Sequence, residues 1–185
     1  MVIMLCAVVG IFIIYKMAAS MNDAKERKEA AELAAKESEL MIAEYDYRDA
    51  VALSYTKRGG ETVSVEIQNS RWVYAEDPTL PLNQTTVAYM ANALASMGAQ
   101  SVVNLEGADT ASFGFDDPAW TFSVTYEDKD VPRNEHTYEM GNYNEFGKGY
   151  YFREVGVDKV YIVVEGLTQF FEYELNEIVD AGTFP

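Results

Sequence analysis

From residue 50 onward the chain alternates, and that alternation limits its fold more than any other feature. Val51, Leu53 and Tyr55 are separated by small or polar residues. After Arg58-Gly59-Gly60, the residues Val63, Val65 and Ile67 alternate with Thr62, Ser64 and Glu66. Trp72 and Tyr74 follow the Asn69-Ser70 pair, and Trp120, Phe122, Val124 and Tyr126 alternate with Thr121, Ser123 and Thr125. Successive side chains of an extended strand point to opposite faces, so a period of two gives each strand one apolar and one polar face. Short strands of this kind, separated by Gly and Asn turns, read as an antiparallel meander with one face buried.

A sheet with one apolar face needs something packed on it, and one segment of helical period is available. Val87, Met90, Leu94 and Met97 form a single stripe over 84–97. Asn83 is placed to cap the start of that helix and Gly98 to stop it. The helix cap also accounts for Asn83 in the sequon Asn83-Gln84-Thr85. Further strands are expected over Ser101–Leu105 and His136–Met140, and a hairpin over Gly149–Val155 and Lys159–Val164. A short closing helix is expected over Gly166–Tyr173. The fold class expected is α+β, a mainly antiparallel sheet with one packed helix, forming a single domain over 44–185.

The N-terminal part reads differently. "MVIMLCAVVGIFIIY" is apolar throughout, and with Lys16 snorkelling to the interface the run 1–21 reaches the roughly 20 residues of a membrane-spanning helix. A retained transmembrane anchor is favoured over a cleaved signal peptide, for which Ala18 and Ser20 would supply a small-x-small site. Lys16, Lys25, Arg27 and Lys28 all follow the span, which by the positive-inside rule puts the remainder in the cytoplasm; a basic segment upstream, expected here, reverses that orientation. Residues 22–43 contain strong helix formers and no Gly or Pro, and read as a solvated helical stalk. Leu33 and Leu40 are seven apart, but Glu26 and Lys36 on neighbouring seam positions argue against a coiled coil.

Charge and residue counts exclude several functions. The net charge is -16, from 30 acidic and 14 basic residues, so nucleic acid and anionic lipid head groups are not expected partners. The one cysteine, Cys6, lies in the apolar run behind Ile3-Met4-Leu5, which is not a lipidation context. With one cysteine and one histidine, His136, neither an internal disulfide nor a cysteine- or histidine-rich metal site can be assembled. No P-loop, Rossmann fingerprint or G-x-S-x-G is present. The expectation is no catalytic residue, no cofactor and no metal.

Two stretches hold candidate chemistry. In "FGFDDPAW", Asp116 and Asp117 are adjacent carboxylates. Adjacent side chains diverge on an extended backbone, while Gly114, Asp116 and Pro118 suit a turn, so the pair reads as a turn rather than a site. Asp116 is expected to bond a nearby N–H, at Ala119 or Asp117, and Gly114 to take a positive φ. Glu127–Asp130, "EDKD", lacks the glycine and terminal Glu of a calcium loop and reads as a hairpin tip. His136 reads as a lone surface or edge histidine. In "GNYNEFGKGYYF", strand packing explains most aromatics, and Tyr143, Phe146, Tyr150 and Tyr151 are the candidate contact surface for carbohydrate, peptide or protein.

The order of these pieces resembles the domain of unknown function 4340 family. The pieces are "VSVEIQNSRWVYAED", "LPLNQTTVAYMANALASMGAQSVV", "FGFDDPAWTFSVTY", "YEMGN", "GYYFREV" and "DKVYIV", across roughly 48–180. The resemblance implies a bacterial, membrane-anchored, extracytoplasmic protein and carries no established activity. It suggests, by analogy, an association with ABC-type transport systems. The functional expectation is a non-catalytic binding or scaffolding module of the cell envelope, with an envelope protein or glycan as partner and the membrane reached through the N-terminal helix. The alternative is a carboxylate-dependent hydrolase using Asp116 or Asp117 with Glu127 or Glu145.

Overall fold

The computed structural model describes residues 25–128 and 131–179. The expected membrane segment, 1–21, lies outside them, as do Lys129 and Asp130 at the expected hairpin tip. Two units are distinguished, divided after Glu39. Helix α1 covers residues 25–40; its side chains to Glu39, the described part of the first unit, are exposed, and the i,i+4 pairs Lys25–Glu29 and Lys28–Glu32 are both at 3.7 Å. Such exposed pairs add only about 0.2–0.5 kcal/mol each to a helix. Among the described residues no helix is long and apolar enough to cross a membrane.

The helix expected to reach residue 43 ends at 40, because the chain there becomes strand β1 (Met41–Glu44). The second unit is built on a sheet of eight strands, all antiparallel to their neighbours. Strands β2 (Ala50–Lys57), β3 (Thr62–Gln68) and β4 (Arg71–Tyr74) form the expected meander. Asn69 and Ser70 both take positive φ, 51° and 63°, as the two-residue turn between Gln68 and Arg71 requires. The chain then leaves the sheet through helix α2 (Gln84–Ala95), pairs β5 (Ser96–Gly98) with β1, and returns at the far edge as β6 (Ser101–Val102). Strands β7 (Trp120–Asp128), β8 (Val131–Asn144), β9 (Gly149–Glu154) and β10 (Val160–Val163) complete the order β4-β3-β2-β7-β8-β9-β10-β6. A short helix α3 (Leu175–Ile178) closes the described chain.

Helix α2 crosses over the sheet, and its stripe is buried as expected: Val87, Met90, Leu94 and Met97 share one core with Val65, Trp72 and Trp120. Each such side chain contributes about 1.5–3 kcal/mol on burial. The Oδ1 of Asn83 accepts from the N–H of both Thr85 and Thr86 at 3.1 Å. The helix stops two residues before 97. Ser96 and Met97 pair with Glu44 and Ala43, so the β1–β5 ladder takes the backbone that the helical period would have kept. Gly98 is therefore a strand residue and not a helix stop. The strand expected over Ser101–Leu105 shrinks to two residues, since the chain turns away at once, the Asn104 side chain accepting from Glu106 N–H and Gly107 adopting φ 69°. The closing helix is a 3-10 helix over Glu165–Phe170.

The opposite face of the sheet is covered in part by the segment between β6 and β7. Phe113, Val160 and Ile162 are buried but stand outside the main core. The Phe113 ring packs 4.4 Å from that of Tyr151, and Arg153 lies 4.4 Å over Phe115 while bonding Glu139 at 2.7 Å. This approach is permitted by Gly141, where a Cβ would sit 2.0 Å from the Phe113 carbonyl oxygen. Backbone stands against backbone there, so nothing flexible can yield. Gly141→Ala is expected to cost about 3 kcal/mol, the upper end of overpacking penalties. Gly98→Ala, with no atom within 4 Å of its Cβ, is expected to cost less than about 1 kcal/mol. Urea denaturation of the two variants checks the contrast, and equal losses would show that the segment shifts to accept a methyl group.

Candidate functional site

Asp116 and Asp117 sit in a turn, and the turn is held differently from the expectation. Gly114 adopts φ 80°, as expected, closing a 3-10 helix over Thr110–Phe113 whose cap is Asp109. The Asp117 carboxylate meets Arg58 Nε at 3.1 Å, and an Arg58 Nη2–H donates to the Asp117 carbonyl. The turn is thus tied to the β2–β3 loop by arginine, while Asp116 makes neither of the expected bonds to Asp117 or Ala119 N–H. Asp117 precedes β7 and Glu127 lies near its other end. Trp120 to Glu127 alone spans roughly 23 Å at ~3.3 Å per residue, so these two carboxylates cannot act as a pair. Glu145 pairs with Lys148 at 3.8 Å in the β8–β9 turn. Among the described residues no group of three His, Cys, Asp or Glu side chains could hold a metal ion.

The four candidate contact aromatics divide between the two faces of the sheet. Tyr143 and Tyr150 are register partners with ring centroids 5.1 Å apart, on the face that carries α2. Tyr151 points the other way, against Phe113, and its hydroxyl accepts from Asn144 Nδ2 at 2.8 Å. Phe146 is 100% exposed at the β8–β9 turn, which is held by Asn144 Oδ1 accepting from the N–H of Phe146 and Gly147. Three of the four therefore belong near one surface and Tyr151 is a packing residue.

A concave feature that the sequence reading does not anticipate lies elsewhere, at the turn between β2 and β3. A cavity of about 660 Å³ opens where β2 and β3 end, floored by Tyr55, Val63 and Trp120 and walled by Tyr74 and Leu80 on one side and by residues 172–176 on the other. The C-terminal segment is anchored over it by the Tyr55 hydroxyl donating to the Tyr173 carbonyl at 2.9 Å. Among the described residues, Glu61, Glu172 and Glu174 line it with a single cation, Lys57, whose ammonium stands 5.4 Å from the Trp120 ring centroid. The acidic field reaches the tyrosines around it. Burial first, then Glu76 and Glu61, raise the Tyr74 hydroxyl; burial, Glu165, Tyr143 and Glu172 raise Tyr150. The sequence signal was "FFEYELNE", 170–177, in which aromatics and glutamates interleave. The expected closing helix, Gly166–Tyr173, covers only the first four residues of this stretch.

His136 is not the surface histidine expected. It lies within β8, 9% exposed, with Nδ1 2.7 Å from Glu154 and Nε2 2.9 Å from Asn134 Nδ2. A neutral imidazole satisfies both bonds. Tyr45 stacks on Tyr126 at 4.4 Å and lies over His136 at 4.9 Å. Neither the Tyr126 nor the Tyr138 hydroxyl in this cluster has a hydrogen-bond partner among the described residues. The His136 ring is thus held between β8 and β9 beneath Tyr45.

The family model described as Domain of unknown function (DUF4340) matches residues 72–185, more than half of the chain. The chain belongs to the DUF4340 family. No curated protein and no solved structure gives a significant match. The DUF4340 match begins at Trp72 in β4, so β2 and β3, which carry one side of the cavity, precede it although they belong to the same sheet.

Two outcomes test these assignments. The Arg58–Asp117 pair is exposed, and such pairs are worth about 0–1 kcal/mol, so Asp117→Ala should lower stability by no more than that and Asp116→Ala by less than about 0.5 kcal/mol. Micromolar calcium affinity abolished by either change, read by isothermal titration, would make the pair a metal site. The tyrosines set the alkaline limit. Burial pushes Tyr55 up to about 12, with Glu177 adding to it, and raises Tyr126 and Tyr138 further. The folded chain keeps these protons when the unfolded chain releases them above about pH 10, so stability is full below pH 10 and falls as pH rises through 12. Phenolate absorbance should show three of the 13 tyrosines titrating only with unfolding; their titration in the intact fold would contradict this.

Proposed function

We propose that this DUF4340 protein is a non-catalytic binding module of the bacterial cell envelope, anchored by its N-terminal apolar segment with the domain outside the cytoplasm. The observation that carries the binding role is the cavity beside β3. Its volume of about 660 Å³ lies within the about 300–1,000 Å³ typical of ligand sites. The aromatic residues Tyr55, Tyr74, Trp120, Phe171 and Tyr173 line it. Tyr143 and Phe146, 42% and 100% exposed, add exposed aromatic area at the β8–β9 turn. A partner buried against such rings gains apolar contact at small entropic cost.

The anchoring and the location rest on the sequence. The apolar run 1–15 is followed by charged helix-forming residues, a spacer between a bilayer and a domain. The accessory role to an ABC-type transport system rests on the family resemblance alone. The partner is an envelope protein or glycan, and the membrane is reached through the N-terminal helix. Protease treatment of intact cells is expected to remove the domain while a cytoplasmic control survives; protection of both reverses the orientation. A photo-crosslinking residue at Tyr173 or Phe146 is expected to give discrete adducts in living cells, and the absence of adducts at both positions removes the binding role.

A further inference from the structure

The two outer edges near the cavity are treated differently. On β4, the Gln84 side chain occupies the place of a neighbouring strand: its Oε1 accepts from Trp72 N–H and its Nε2 donates to the Trp72 carbonyl, both at 2.9 Å. The outward backbone groups of Trp72 are thereby already paired. β3 runs further than β4. The Ser64 carbonyl accepts from Ala75 N–H at 3.0 Å, the last such bond between these chains. Backbone groups alternate in direction along a strand, so Thr62 turns its N–H and C=O the same way as Ser64, outward beyond the end of β4. Neither group has a partner among the described residues. Thr62 also lines the cavity.

An open strand edge at the rim of an aromatic cavity is the geometry of strand addition, in which main-chain bonds hold an extended peptide and alternate side chains enter pockets. Charge decides the kind of peptide. Among the described residues that line the cavity, Glu61, Glu172 and Glu174 outnumber the one cation, Lys57, and Lys57 already places an ammonium over the Trp120 ring. A second cation entering here meets carboxylates and ring faces; an acidic side chain meets like charge.

We propose that the cavity receives an extended, lysine- or arginine-bearing segment of a partner protein, which pairs with the Thr62 backbone and places a cationic side chain among Glu61, Glu172 and Glu174. This rests on the binding reading given above and names the partner's chemistry.

The test uses the full chain in detergent micelles and three probes: the peptide Lys-Thr-Lys-Val-Lys-Thr-Lys, its counterpart with Glu for every Lys, and spermidine. The basic peptide is expected to bind, to slow hydrogen exchange at the Thr62 amide, and to weaken at least tenfold when Glu61 and Glu172 are both changed to Gln. Thr62→Pro is expected to abolish binding without unfolding the chain, since the lost N–H points away from β2 and proline is tolerated on strand edges. The exposed double Gln variant keeps the test valid if the proline variant does not fold. Spermidine binding as tightly as the peptide, or peptide binding without protection of Thr62, overturns the strand pairing. Tighter binding of the acidic peptide overturns the charge assignment while leaving a binding module. No binding by any probe, with crosslinks at Tyr173 still formed in cells, overturns this inference alone; loss of those crosslinks as well removes the binding role itself.

Discussion

The pairing of β2 with β7 holds the domain together. Its register runs from Ala50↔Tyr126 to Lys57↔Trp120 and joins residues about seventy positions apart. On one side of it, the β2–β3–β4 meander is local hairpin structure. On the other, β7 to β10 pair in consecutive hairpins, and β10 alone reaches back to β6. Without that one ladder each half would present an open edge and an uncovered apolar face. The loop closure it requires is entropically expensive, and it is repaid by the burial of Leu53, Tyr55, Phe122 and Val124 under a single helix.

That helix explains why the two edges of the sheet differ. α2 leaves β4, crosses the sheet and delivers the chain to β10 through the two-residue strand β6. At its start, Gln84 pairs the Trp72 backbone on the β4 edge with a side-chain amide, and Asn83 N–H donates to the Ile178 carbonyl at 2.8 Å, drawing the C-terminal segment down beside it. The cavity is the space left between these two attachments. It exists because β3 is longer than β4 and because the Tyr55 hydroxyl holds the backbone at Tyr173 above the sheet rather than on it.

Much of the architecture was legible because it depends on local periods. Val87, Met90 and Leu94 could only be a buried stripe, Asn69-Ser70 could only be a tight turn, and Gly114 needed the left-handed conformation it adopts. The misreadings have a common origin. Met97 continues the helical stripe, yet β1 takes its backbone; His136 reads as isolated, yet Glu154 from β9 reaches it across the ladder. Tyr151 was grouped with Tyr150 by adjacency, although neighbouring strand residues face opposite sides.

The sequence by itself determined the central strands, the body of α2, their buried faces and the net charge, since each follows from residue type and spacing within a few positions. Only the tertiary structure decided where a ligand could sit. The cavity draws on β2, β3, β4, the start of β7 and the residues before and within α3, and no period connects Glu61, Trp120 and Glu174. Their meeting depends on which strands pair and on how far one strand outruns its neighbour. Those are free-energy balances among long-range contacts, which local spacing does not encode.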